Sequence, residues 1–156
     1  MGKGKGSAAN LPFMPYTWDE PWLYAFERVV PALLRRFRPT VLVTQDGCDT
    51  HHLDPLAHLA ATTQIWPRIG KVFHELAHEL CEGRWLALGG GGYAIYEVVP
   101  RAWTLLFAEM VERPELAANV NDTATVVPGE EAQARVWSAL RKDLGRLGEV
   151  HGIGFA

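Results

Sequence analysis

The sequence predicts an α/β fold in which helices flank a small parallel sheet. Two short runs, TVLVTQ (40–45) and RWLALGG (84–90), have the length and composition of buried strands. A helix-length amphipathic segment separates them, and further helical segments lie before the first and after the second. Strand, helix, strand, helix at these spacings indicates βαβ units, whose strands run parallel.

The opening MGKGKGSAANLPFMP is loop-like, because its glycines and prolines break any periodicity, and it reads as a flexible segment. Its GKGKGS has neither the glycine spacing nor the terminal Gly-Lys-Ser/Thr order of a phosphate-binding loop. Thr17-Trp18-Asp19-Glu20 has the pattern of a capping box, with Thr17 as N-cap and Glu20 reaching back. The helix it opens carries Leu23, Phe26, Val30, Leu33 and Leu34 as its apolar stripe and is expected to reach Phe37. Pro31 is expected to kink it, and Pro39 to stop it. After the first strand comes a polar loop rich in Asp and His, Asp46 to Asp54. A second helix is expected over Gln64–Glu82, ended by Gly83. Beyond the second strand, the tetraglycine Gly89–Gly92 breaks to a third helix over Ala94–Arg113. Residues 114–128 read as a loop, Glu130–Leu147 as a charged amphipathic helix, and GEVHGIGFA as a frayed tail. There is no internal repeat, and residues 1–156 are expected to form a single unit.

Composition excludes several classes. With 156 residues, 48% of them hydrophobic and 21% charged, the chain can bury a core and does not read as disordered. A net charge of −3 offers no basic footprint for nucleic acid and no polybasic face for a membrane. Two cysteines, Cys48 and Cys81, argue against a disulfide framework and suit a reducing cytosol, so a cytoplasmic protein is expected. No apolar run is long enough to span a bilayer, and Met1–Ala9 lacks the apolar stretch of a signal peptide.

One motif suggests zinc chemistry directly. His74-Glu75-Leu76-Ala77-His78 is an H-E-x-x-H pattern, which puts two imidazoles on one helix face as in zinc peptidases. The apolar stripe of that helix is Ile69, Val72, Phe73, Leu76, Ala77 and Leu80, whereas Lys71, His74, Glu75, His78 and Glu82 fall opposite. Both histidines are therefore expected on the solvated face of an ordinary amphipathic helix. Cys81 also stands where the extended motif needs glycine. A third ligand could come from Glu97 or Glu109, but nothing specifies one.

The better signal lies at the strand ends, where parallel α/β sheets gather ligands. The first strand runs into QDGCDTHHLDPLAHL and the second into LALGGGGYAIYEVVPRAWT. Here the chain resembles the zinc-dependent histone deacetylase family, most nearly its bacterial acetoin-utilization branch. FRPTVLVTQDGCDTHHLDPLAHL is similar to that family's strand and Gly-x-Asp loop. RWLALGGGGY with VVPRAWT is similar to its glycine-rich tyrosine loop and following helix, and GKGKGSAANLPF to the segment upstream. The resemblance runs in order over about residues 2–112 and is looser beyond.

It implies the carboxyl-terminal portion of an arginase/deacetylase-type parallel sheet flanked by helices. It also implies that Asp49 is one of three protein zinc ligands, beside an aspartate and a histidine, leaving a position for water and substrate. Tyr93 would donate its hydroxyl to the acetyl carbonyl and stabilise the oxyanion. Gly91 and Gly92 would give the loop dihedrals that let the tyrosine approach. Asp49-Thr50-His51-His52 imitates the Asp-x-His-His segment carrying the family's other ligands, but its context fits the later loop. His51 and His52 are accordingly expected at the mouth or behind the ligands. Cys48 is expected to be a packed thiol.

The tandem histidines that act as general base and acid, and the Asp-x-His ligands, have no counterpart in the sequence. His58, His74, His78 and His151 do not match them. The expected function is removal of acetyl groups from acetyl-lysine, or from a small acetylamide, with zinc, and the chain alone is expected to be inactive. The alternative is a non-catalytic truncated paralogue or interaction module that pairs through an exposed sheet edge. A zinc peptidase is third.

Overall fold

The structure, a computed structural model, describes residues 6–123 and 125–155. In chain order it comprises α1 (Asp19–Phe37), β1 (Leu42–Asp46), α2 (Ile65–Cys81), β2 (Trp85–Gly89), α3 (Val99–Met110), a 3-10 turn (Pro114–Ala117) and α4 (Glu130–His151). The expected βαβ unit is present. β1 and β2 pair in parallel, Leu42 opposite Trp85 and Asp46 opposite Gly89, and α2 supplies the crossover that parallel strands require.

The two faces of the sheet differ. Leu42 packs with Ala77, Cys81, Leu34, Phe73 and Trp85, so α1 and α2 cover the face that β1 shows through Leu42, Thr44 and Asp46. Trp85 Nε1 donates to Thr44 Oγ1 at 2.9 Å, and Trp103 Nε1 from α3 donates to the Asp46 carbonyl at 3.0 Å, on the same side. On the opposite face Val43, Leu86 and Leu88 are 56%, 52% and 47% exposed. A parallel sheet is ordinarily buried on both sides. One side of this one has no cover among the described residues.

The main core lies between α1, α2 and α3, around Phe26, Ile65, Trp66, Ile69, Val98, Ala102 and Leu105. A second cluster joins α1 to α4 through Ala25, Val29, Leu140, Leu144 and Phe155. Residues 1–5 of the expected flexible opening lie outside the described residues. Residues 6–15 form no helix or strand, yet Phe13 stacks on Trp22 with ring centroids 6.0 Å apart.

Three expectations are corrected. The capping box does not form: α1 starts at Asp19 behind Trp18, with no side-chain cap. Thr17 is buried and turns its hydroxyl to the Met14 carbonyl at 2.7 Å. Asp19 instead accepts the Thr62 amide and hydroxyl, both at 2.6 Å, tying the start of α1 to the loop before α2. The third helix begins at Val99, not Ala94. Pro100 then falls in its first turn, where a missing N–H costs nothing; a start at Ala94 would have put it in the interior.

The tail is not frayed. α4 continues to His151, and Gly152 ends it in the left-handed region at φ 63°. The chain then folds back so closely that a Cβ on Gly148 would lie 2.6 Å from the Ile153 carbonyl oxygen. This return seats Phe155, 3% exposed, against α1 and α4. Phe155→Ala should therefore lower stability by about 3 kcal/mol, toward the lower end for deleting a buried aromatic ring. A urea melt would check it; a frayed tail would give no change in midpoint.

Candidate active site

Because Asp46 faces Gly89 at the carboxyl ends of the strands, the loops leaving β1 and β2 emerge side by side. They meet backbone to backbone. The Cys48 amide donates to the Gly91 carbonyl at 2.5 Å, and a Cβ on Gly90 would lie 2.9 Å from Gly47 Cα. Gly92 has φ 141°, a conformation L side chains rarely adopt, and its Cα packs beside Cys48. The glycines allow a contact that any side chain would prevent.

Asp49 lies in this junction. Its carboxylate covers Gly91 so closely that a Cβ there would overlap it. The residue is half-buried. Among the described residues its carboxylate takes no hydrogen bond and no ion pair.

Tyr93 follows the glycines and is 54% exposed, and its amide donates to Asp54 Oδ2 at 2.9 Å. Asp54 is buried, and its Oδ1 accepts the Leu56 and Ala57 amides at 2.8 and 3.1 Å. One carboxylate thus closes a turn in the Asp49 loop and anchors the tyrosine loop to it. The sequence reading did not single out Asp54. Its signal was the Asp-Pro dipeptide, which favours such turns.

Cys48 is a packed thiol, as expected: it is 1% exposed, and burial pushes its pKa up to about 12. His51 is fully buried in a polar network. The Leu53 amide donates to His51 Nδ1 at 3.2 Å, which leaves Nε2 protonated to donate to Asp122 Oδ2 at 2.8 Å. Asp122 Oδ2 also accepts the Thr63 amide at 2.7 Å, and its Oδ1 pairs with Arg101 at 2.8 Å.

Residues 1–110 match the histone deacetylase domain family. The chain belongs to that family. It is 44% identical over 109 residues to the acetoin utilization protein AcuC of Bacillus subtilis, covering 70% of this chain and 28% of that protein. The AcuC of Staphylococcus xylosus is 37% identical over 113 residues, 72% of this chain and 29% of its own length. This chain therefore spans less than a third of the curated relatives it matches. A solved structure, the HDA15 HD domain, superposes on 96% of this chain and 38% of its own with a TM-score of 0.59. At 20% identity that likeness establishes the α/β deacetylase fold alone.

Both loops that meet at Asp49 fall within the residues that match the histone deacetylase family. The H-E-x-x-H pair lies elsewhere. His78 is exposed and His74 half-buried, with ring centroids 4.7 Å apart. His74 Nε2 has Glu112 at 3.6 Å, and Glu109 lines the same hollow. Among the described residues no trio of potential ligands gathers there.

Such a trio does gather at His51, His52 and Asp122, whose ligand atoms lie within 4.8 Å of one another. The bonds already made do not fit a metal. Both nitrogens of His51 are engaged, and the Arg101 guanidinium sits on the same carboxylate. An N···O separation of 2.8 Å is a hydrogen bond. It is shorter than the roughly 3.3 Å between two tetrahedral ligands about 2 Å from zinc.

The same network makes a prediction about acid. Although burial alone would raise it, the Thr63 amide, His51 and Arg101 bring the Asp122 pKa from 3.8 down to about 2. A carboxyl more acidic in the fold than in the unfolded chain contributes its stability fully above its unfolded pKa. That contribution is lost as pH falls from about 4 towards about 2. Thermal melts should show Asp122→Asn less stable than wild type near neutral pH, with the gap closing over that acid range. A constant gap would refute the linkage.

Proposed function

We propose that this chain supplies the carboxyl-terminal part of the catalytic domain of a zinc-dependent amide hydrolase of the acetoin utilization type, acting on acetyl-lysine. One observation carries the reading: the Asp49 carboxylate, free of donors among the described residues, sits in the glycine-lined junction beside the Tyr93 loop. A hard, anionic oxygen held open in this way suits one ligand of a three-ligand zinc site. Zinc held there would polarise the acetyl carbonyl.

This chain's own residues do the rest of what they can. Tyr93 reaches out of the junction and donates its hydroxyl to the acetyl oxygen, most strongly when that oxygen carries charge. Asp54 fixes the backbone from which Tyr93 projects. Gly91 and Gly92 keep the space between the two loops clear. The remaining ligands and the histidines that take a proton from water come from elsewhere in the domain, so the isolated chain should not turn over. The substrate is an acetylated protein lysine, with a small acetylamide as the alternative, in the cytoplasm. Among the described residues no helix is long and apolar enough to cross a membrane.

The test is a chimera in which the matched 109-residue stretch of the B. subtilis relative is replaced by this chain's. Zinc-bound chimera should hydrolyse an acetyl-lysine peptide at a rate comparable to the intact relative. A folded, zinc-loaded but inert chimera beside an active relative would sink the reading.

The bare sheet favours a second reading, an interaction module that pairs through its strand edge. A groove of about 450 Å³ runs along β1, lined by Trp22, Phe26, Val30, Leu34 and Phe73. Beside exposed Val43 it offers apolar surface and an unpaired strand edge together. Sedimentation should then show the chain associating with itself or with the rest of a deacetylase domain. A soluble monomer indifferent to both would count against it.

A further inference from the structure

Asp122 stands 71 residues from His51 in sequence, yet it bonds to the middle of the Asp49 loop. Its own segment is pinned on two other sides. Arg101 of α3 donates from Nε to the Val120 carbonyl at 2.7 Å and pairs with the Asp122 carboxylate. Just before α2, Thr63 gives its amide to Asp122 Oδ2, and its hydroxyl accepts the Asp122 amide at 2.6 Å. The carboxylate is therefore a fixed point, set by α3 and the start of α2 before His51 is considered.

His51 passes that fixed position to the site. Its ring is held at both nitrogens, by Leu53 and by Asp122. Its main chain closes the two turns on either side: the His51 amide donates to the Cys48 carbonyl at 3.2 Å, and its carbonyl accepts the Asp54 amide at 2.9 Å. The first turn contains Asp49, and the second ends on the carboxylate that holds Tyr93. Among the described residues the Asp49 side chain has no hydrogen bond or ion pair to keep it in place. Its position over Gly91 depends on the loop that carries it.

We propose that Asp122 is a positioning residue: by bonding the Nε2–H of His51 it locks the Asp49 loop against the Tyr93 loop. The functional meaning of this clamp rests on reading Asp49 as a metal ligand. Its existence does not. The clamp competes with a metal for the same cluster, because both ring nitrogens of His51 are engaged and Arg101 pairs with the Asp122 carboxylate.

NMR of the full 156-residue chain tests it. The wild type should show His51 protonated on Nε2 and not on Nδ1, and zinc added to the Asp49→Ala chain should leave those ring signals in place. Asp122→Ala should speed amide exchange at Cys48 and Tyr93 by at least about tenfold while α2 amides stay at wild-type rates. Asp122→Asn keeps an oxygen for the His51 and Thr63 bonds at Oδ2 but turns its amide nitrogen to Arg101, so its exchange should fall between wild type and Asp122→Ala. If Asp122→Ala does not fold, His51→Leu fills the same space without the bond and should loosen the same two amides. The proposal is overturned by unchanged exchange in Asp122→Ala or, where that does not fold, in His51→Leu, by Asp122→Asn exchanging no more slowly than Asp122→Ala, by the Nδ1–H tautomer, or by zinc shifting the His51 nitrogens. None of these readings involves turnover. The catalytic reading fails separately, if the chimera with Asp49→Ala keeps its zinc.

Discussion

Replacing Tyr93 by Phe in the active chimera is expected to lower turnover of an acetyl-lysine peptide by roughly two to three orders of magnitude, the usual loss for one oxyanion donor. Zinc content should not change. The hydroxyl makes no hydrogen bond among the described residues, and the ring stands largely outside the fold, so its removal leaves packing and the Asp49 loop intact. The Tyr93 backbone stays tied to Asp54 through an amide that phenylalanine also possesses. The loss should appear in kcat, with KM little changed, since the bond strengthens as charge develops on the acetyl oxygen. Wild-type kcat with zinc confirmed would remove Tyr93 from the reaction.

What was legible in the sequence was whatever depended on local pattern. The strands at 40–45 and 84–90 and the helix between them are present within one or two residues, because apolar periodicity and the stop at Gly83 act over a few residues. The solvated face of the H-E-x-x-H helix was legible for the same reason at Lys71, Glu75 and His78, but His74 is half-buried beside Glu112, a neighbour the helix pattern does not reveal. The errors arose where the pattern admits more than one partner. Thr17 and Glu20 have the composition of a cap, but the Thr17 hydroxyl turns back to the Met14 carbonyl, and Asp19 ties the start of α1 to Thr62, 43 residues away. The glycines of the tail look like an unravelling end, yet Gly148 is there because the returning chain presses on it. Asp54 and Asp122 organise the junction, and neither stood out, since a lone aspartate in a loop carries no period. Asp49 and Tyr93 stood out only through family resemblance; composition alone would have made them a turn former and a loop aromatic.

Asp49→Ala should act in the opposite way from Tyr93→Phe. The carboxylate makes no bond among the described residues, so its loss should move the stability of the 156-residue chain by no more than about 0.5 kcal/mol. In the chimera the same change deletes one of the three ligands we propose, and zinc should be lost at concentrations that saturate the wild type, with activity lost alongside it. Gly91→Ala offers a check that leaves the carboxylate in place. An added methyl would occupy the position where the Asp49 oxygens lie, so the side chain must swing aside. Zinc occupancy should fall as it does in Asp49→Ala, although every ligand atom is still encoded. Equilibrium dialysis against zinc separates the outcomes. If Gly91→Ala keeps full zinc while Asp49→Ala loses it, the carboxylate binds from some other position than the one over Gly91. If both keep it, Asp49 is no ligand, and the free carboxylate at the junction of the two loops has another purpose.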